Sequence, residues 1–149
     1  MSVRFLQIIF LSFLLSCSKD PESDPKTALL TAKAWKFVKA ESRVNNGIWL
    51  DEAPFWPTCK QDDEILFKTN NSYVLSNGAT KCSPSDPEIL DEATWKFLET
   101  ETKIDMDGAI TLIEKLDEQQ FIISSSTISG TDTYDYKYTL EHWEILVNQ

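Results

Sequence analysis

From Trp35 onward, large apolar side chains recur at every second position in short segments separated by turn residues. Trp35, Phe37 and Lys39 alternate with Lys36, Val38 and Ala40, and Ile65 and Phe67 alternate with Glu64, Leu66 and Lys68. Trp95 and Phe97 oppose Lys96 and Leu98; Ile110, Leu112 and Glu114 oppose Thr111 and Ile113; Phe121 and Ile123 flank Ile122. Tyr134, Tyr136, Tyr138 and Leu140 oppose Asp135, Lys137 and Thr139, and Trp143, Ile145 and Val147 close the series. Side chains of an extended chain point alternately to its two faces, so this pattern predicts short, half-buried strands. The four glycines each follow a turn residue, in Asn46-Gly47, Asn77-Gly78, Asp107-Gly108 and Ser129-Gly130. Asn-Gly and Asp-Gly between strands predict hairpins, because both central positions of a type I′ turn need φ > 0. Asn70-Asn71, between Phe67 and Tyr73, predicts a further hairpin tip. About eight to ten short strands joined in this way predict an all-β antiparallel meander, which must close or stack to bury its apolar face. A small up-and-down barrel meets that need, with a sandwich as the alternative.

Ahead of Trp35 the period changes. Leu29, Leu30 and Ala34 fall at helical spacing and predict a short helix over residues 26–33, with Asp24 as its N-cap and Pro25 in its first turn. Residues 18–26 hold Lys, Asp, Pro, Glu and Ser and nothing large and apolar, the composition of a flexible tether. Before them, Arg4 precedes a mostly apolar run from Phe5 to Leu15 that ends in Ser16-Cys17. That run is too short to span a bilayer, but it has the charged start, apolar centre and small residue of an export signal. The cysteine directly after the small residue makes Leu14-Leu15-Ser16-Cys17 resemble the lipobox of a bacterial lipoprotein signal peptide, with Leu15 a less usual choice at its position. The resemblance implies that the Cys17 thiol takes a diacylglycerol, that the signal is cut before it, and that the new amino terminus is acylated. A plain secretory signal or an uncleaved anchor is the alternative. The expected organisation is a signal over 1–16, a tether over 17–26 and a barrel domain over 27–149. Asp20, Glu22 and Asp24 resemble the acidic residues that direct some Gram-negative lipoproteins to the outer surface, though a solvated linker reads the same way.

Charge and cysteine content narrow the function classes. Cleavage before Cys17 removes 16 of the 149 residues and leaves 133, enough for one domain. Without Arg4, 24 acidic residues face 13 basic ones, a net charge of −11. Such a surface repels phosphate backbones, which argues against nucleic-acid binding, and it repels anionic lipid heads. Membrane attachment then has to come from the acyl chains on Cys17, at an outer membrane whose periplasmic or external face would carry the domain. Cys59 and Cys82 are the only other thiols, and a pair of thiols in an exported domain reads most simply as one disulfide, closing a loop worth roughly 3 kcal/mol. A metal or redox pair fits poorly, for lack of Cys-x-x-Cys spacing and with His142 the single histidine.

These residues carry a family resemblance. A short helix leads into Ala34-Trp35-Lys36-Phe37-Val38 and Asn46-Gly47. Then come Cys59-Lys60-Gln61-Asp62-Asp63, Ile65-Leu66-Phe67, Asn70-Asn71-Ser72-Tyr73, Gly78-Ala79-Thr80-Lys81-Cys82 and Ala93-Thr94-Trp95-Lys96-Phe97. From about residue 29 to 125 this order resembles the lipocalin-like domain of Gram-negative envelope lipoproteins. Ala34 departs from it, since the family more often has Gly before the first tryptophan. The resemblance implies an antiparallel barrel or half-barrel with an apolar ligand, and it does not imply an enzyme. Trp35-Lys36-Phe37-Val38 returns as Trp95-Lys96-Phe97-Leu98, as alternating aromatics in a barrel interior would, and nothing else repeats.

Chemistry has few footholds. A nucleophilic triad would depend on His142, no glycine-rich phosphate loop is present, and no cofactor is implied. Asp51-Glu52 and Asp62-Asp63 are carboxylate neighbours of the kind that acidic chains place in solvated turns. Asp105-Met106-Asp107-Gly108 resembles the start of a calcium loop but lacks the closing Glu, and a hairpin tip explains it better. The strongest candidates are aromatic. Trp49, Phe55 and Trp56 lie in a segment broken by Pro54 and Pro57, and Tyr134, Tyr136 and Tyr138 share one strand face. These six rings either line a ligand-binding mouth or plug the barrel. A membrane-tethered binding module for a small apolar or aromatic molecule or a glycan is therefore one expectation. The other is a filled barrel that meets another envelope protein.

Overall fold

The computed structural model describes residues 24–142; Cys17 with its signal, most of the tether, and Trp143, Ile145 and Val147 lie outside them. A helix, α1 (Pro25–Thr31), opens the described chain with Asp24 as its N-cap, the carboxylate accepting from the Lys26 N–H at 2.9 Å. Nine strands follow: β1 (Trp35–Val44), β2 (Leu50–Asp51), β3 (Glu64–Phe67), β4 (Ser72–Ser76), β5 (Ile89–Leu98), β6 (Lys103–Met106), β7 (Ala109–Leu116), β8 (Gln120–Ser129) and β9 (Asp132–His142). Each strand from β3 onward pairs antiparallel with its sequence neighbour, and β1 pairs with both β3 and β9. The sheet therefore closes on itself as an eight-stranded up-and-down barrel, and β2 is a short flap on β1. A sandwich is excluded.

The interior fills from one end. Trp35, Ile65, Phe67, Trp95, Ile104, Phe121, Ile123 and Leu140 pack into one buried cluster, and Leu30 of α1 closes it from below. The four rings here meet edge-on or tilted at centroid distances of 5.7–6.0 Å, the arrangement their quadrupoles favour. Trp35 Nε1–H donates to the Leu30 carbonyl at 2.9 Å, and Trp95 Nε1–H reaches the Lys68 and Ser72 carbonyls, so neither buried indole leaves a donor idle. Toward the opposite end burial falls away, and Val44 and Ile128 are exposed.

Alternation holds along most strands, but a bulge between Phe37 and Lys39 shifts the phase of β1. Trp35 and Phe37 face inward before it and Ala40 after it, which leaves Val38 and Lys39 exposed. On β7, Thr111 and Ile113 face the interior while Ile110 and Leu112 face solvent.

The turns confirm some expectations and correct others. Asp107 (φ 52°) and Gly108 (φ 88°) form the two-residue tip between β6 and β7, so the calcium-like Asp105–Gly108 motif is a hairpin. Asn71 (φ 65°) serves the tip between β3 and β4, and Gly130 the tip between β8 and β9. After β1 the positive φ values fall on Asn45 and Asn46, one residue earlier than expected, and Gly47 N–H closes that turn on Val44. Asn77-Gly78 is not a hairpin tip: Asn77 is buried, and a Cβ on Gly78 would collide with the Asp62 carbonyl. Between β5 and β6, Glu99, Thr100 and Glu101 all have positive φ without a glycine, and Lys26 Nζ of α1 holds the Glu101 carbonyl at 2.7 Å.

Cys59 and Cys82 are bonded, with Cα atoms 5.0 Å apart, the pairing expected from the sequence. The bond ties the 3₁₀ turn Thr58–Lys60 to the loop between β4 and β5.

Candidate functional site: an aromatic cleft at the barrel seam

The barrel seam is thin where β1 meets β3. Only Trp35↔Ile65 and Lys36↔Glu64 pair there, and farther along β1 the flap β2 takes over at Glu41↔Asp51 and Ser42↔Leu50. Between these two stretches the segment 52–60 crosses the seam. Pro54 and Pro57 cannot donate to a ladder and cut the segment into two 3₁₀ turns, Ala53–Phe55 and Thr58–Lys60. Glu52 N–H donates to the Ala40 carbonyl at 2.7 Å, and the Ala53 N–H donates to Asp51 Oδ1 at 3.0 Å.

Trp56 lies between the two turns, its ring edge-on to Phe37 at 6.2 Å. Phe37 in turn meets Tyr138 edge-on at 6.2 Å, so a chain of three rings runs from the crossing segment to the interior wall. Beside it opens a cleft of 320 Å³, walled by Phe37, Trp56, Pro57 and Leu75 and edged by Lys60 and Asp63. A second cleft of 370 Å³ opens on the outer side of the same two rings, against Val38, Asp51, Ala53 and Pro54. Lys60 Nζ stands 3.3 Å from Asp63 Oδ2.

The six aromatic candidates do not converge on one place. Trp56 walls the cleft, and Tyr138 borders it through Phe37. Burial pushes the Tyr138 hydroxyl above its ordinary range, helped by Tyr136 and the Glu52 carboxylate. Tyr136 and Tyr134 continue the same inward face of β9 toward the open end, opposite Ser42 and Val44. Trp49 lies on the outer surface, with the Arg43 guanidinium 4.5 Å and Lys137 Nζ 4.7 Å from its ring, and those cations hold Asp135 and Glu114. Phe55 is 81% exposed and walls neither cleft. His142 is at the filled end, stacked on Trp35 at 3.7 Å with Nδ1 3.3 Å from the Ala34 carbonyl.

Phe37, Leu75, Lys60 and Asp63 belong to the cleft but do not stand out as site residues in the sequence. Phe37 reads as an ordinary strand residue and Leu75 belongs to none of the patterns drawn from the sequence; the short β1–β3 pairing opens both to the cleft. Asp63 reads as one of two solvated neighbours, yet it is buried. Glu52, from the other such pair, accepts from the Ser42 hydroxyl and turns toward the barrel instead of solvent. Tyr73 also faces the interior, its hydroxyl raised by burial and by the charges of Asp91 and Asp107.

No protein-family model matches the sequence, and a search of curated proteins returns no match.

Proposed function

We propose that this chain is a membrane-tethered, lipocalin-like binding protein of the bacterial envelope that holds a small apolar or aromatic molecule in the cleft between β1 and β3. The supporting observation is the cleft: 320 Å³ of space walled by Phe37, Trp56, Pro57 and Leu75, open to solvent beside a barrel whose other end is filled. Concave apolar surfaces of this size with one or two polar groups suit a small ligand. The described chain enters through α1 at the filled end. A lipid on Cys17 would therefore attach the domain through the side that carries α1.

Titration with N-phenyl-1-naphthylamine, followed by its own fluorescence, tests this reading. The wild-type protein is expected to bind the probe, and Trp56→Ala to weaken binding at least about fivefold while costing only about 1 kcal/mol of stability. A loss of about 3–5 kcal/mol in that variant, with no probe bound by either protein, would show that Trp56 is core and not a wall. Anchoring has a separate test. Cys17→Ala is expected to leave the precursor unprocessed or to release the protein from membranes, and normal processing with full membrane retention would refute the anchor.

A second reading, a protein-interaction module without a small ligand, has its own support in the apolar side chains left exposed. Ile48 before β2, Leu50 in β2, Phe55 of the crossing segment and Ile128 near the β8–β9 tip all face solvent. A barrel that binds no probe but whose partner capture depends on these residues would favour it.

A further inference from the structure

We infer that the occupant of the cleft carries a hydrogen-bond-donating head, an ammonium or a hydroxyl group, received by Asp63; this rests on the cleft being a binding site. Asp63 is 8% exposed and Asn77 4%, the two buried polar residues of the described barrel. One register step beyond the Glu64↔Ser76 pair, they stand opposite each other at the inner end of β3 and β4, a juxtaposition that the press of Gly78 on Asp62 supports. Asp63 Oδ2 faces Lys60 Nζ, but Asp63 Oδ1 is buried with no hydrogen-bond partner among the described residues. The same holds for Asn77 Oδ1, whose own amide donates to the Pro87 carbonyl. Asp62 Oδ1, on the residue next to Asp63, is likewise buried without a partner, and three such acceptors on adjoining residues are unusual, because each has given up its water without replacement.

Asp63 also edges the 320 Å³ cleft, where Phe37, Pro57 and Leu75 offer no donor. Asp63 Oδ1 is itself closed to solvent, so a rotation of the Asp63 carboxylate toward the cleft it edges would let the missing donor arrive with the ligand, its apolar body against Phe37, Trp56 and Leu75 and its head at Asp63. Charge favours the same polarity. The chain carries a formal net charge of −10, and Lys60, the cation at the cleft edge, is already paired. A carboxylate head would meet the Asp63 charge, whereas an ammonium would form a charge-assisted bond to it.

Four probes that share one ring separate the possibilities by calorimetric titration: 1-naphthylmethylamine, 1-naphthalenemethanol, 1-methylnaphthalene and 1-naphthoate. The amine is expected to bind at least about tenfold tighter than the hydrocarbon, with the alcohol between them. Asp63→Asn, which keeps the shape, should remove most of the advantage of the amine over the alcohol. Asp63→Leu should abolish both preferences and leave 1-methylnaphthalene bound at least as well. Thermal unfolding establishes that each variant is folded, and if Asp63→Leu is not, the amine-to-alcohol ratio in Asp63→Asn decides. Equal binding of hydrocarbon and amine would overturn the head-group inference and leave the cleft reading standing, as would an amine preference that survives both substitutions. Tightest binding of 1-naphthoate would overturn it in favour of Lys60. Failure of every probe to bind the folded protein would bring down the cleft reading itself.

Discussion

Trp35→Ala is expected to lower the free energy of unfolding by about 3–5 kcal/mol, the range for deleting a buried aromatic side chain. Trp35 is 0% exposed and joins three elements at the filled end. Its indole N–H holds the Leu30 carbonyl at 2.9 Å, its face stacks on His142 at 3.7 Å, and its edge meets Phe121 at 5.7 Å. Truncation removes one of the two buried indoles, opens a void that its rigid neighbours cannot collapse into, and unhooks α1 from the barrel. Equilibrium denaturation checks this, and a loss below about 1 kcal/mol would show that this end is not the centre of stability. The contrast with Trp56 is informative, because two tryptophans of one chain should divide cleanly, one costing stability and the other binding.

Replacing Cys59 and Cys82 together by serine should cost roughly 3 kcal/mol, as expected for freeing a loop of this length in the unfolded chain. The bond spans 23 positions and anchors the Thr58–Lys60 turn, whose Lys60, like the neighbouring Pro57, lines the cleft. Probe affinity should therefore fall with stability, since the crossing segment has no strand partner between β2 and β3 to hold it in place. Thermal unfolding of the wild type with and without reductant measures the same quantity without mutation. An unchanged midpoint on full reduction would contradict it.

Much of the fold was legible because a half-buried strand imposes a two-residue period that few other structures produce. The strands, their antiparallel order, the N-cap at Asp24, the Asp107-Gly108 tip and the pairing of two thiols all follow from local chemistry. What escaped depends on tertiary contacts. The bulge after Phe37 inserts one residue, and a period-two pattern continues through Val38 without marking it. Gly78 looks like a turn residue but is small because the Asp62 backbone presses on it. The Glu99–Glu101 turn uses left-handed backbone without Gly or Asn, held by a lysine 75 positions away. The site was half legible for the same reason. Aromatic rings between two prolines pointed to the crossing segment, but which ring faces the cleft depends on where the segment crosses β1. Trp56 landed on Phe37, whereas Trp49 was taken by Arg43 and Lys137 on the outer wall. Asp63 could not be told from Asp62 by type or position, and only the β3–β4 register buries it.

The central claim, that the seam cleft holds a small molecule, is tested most directly by native mass spectrometry of the protein recovered from the cells that make it, beside Trp56→Ala prepared identically. The account predicts a non-covalent mass on the wild type that disappears under denaturing conditions and is absent or reduced on the variant. A wild-type protein that carries no more than its covalent mass, identical in this respect to Trp56→Ala, would contradict it.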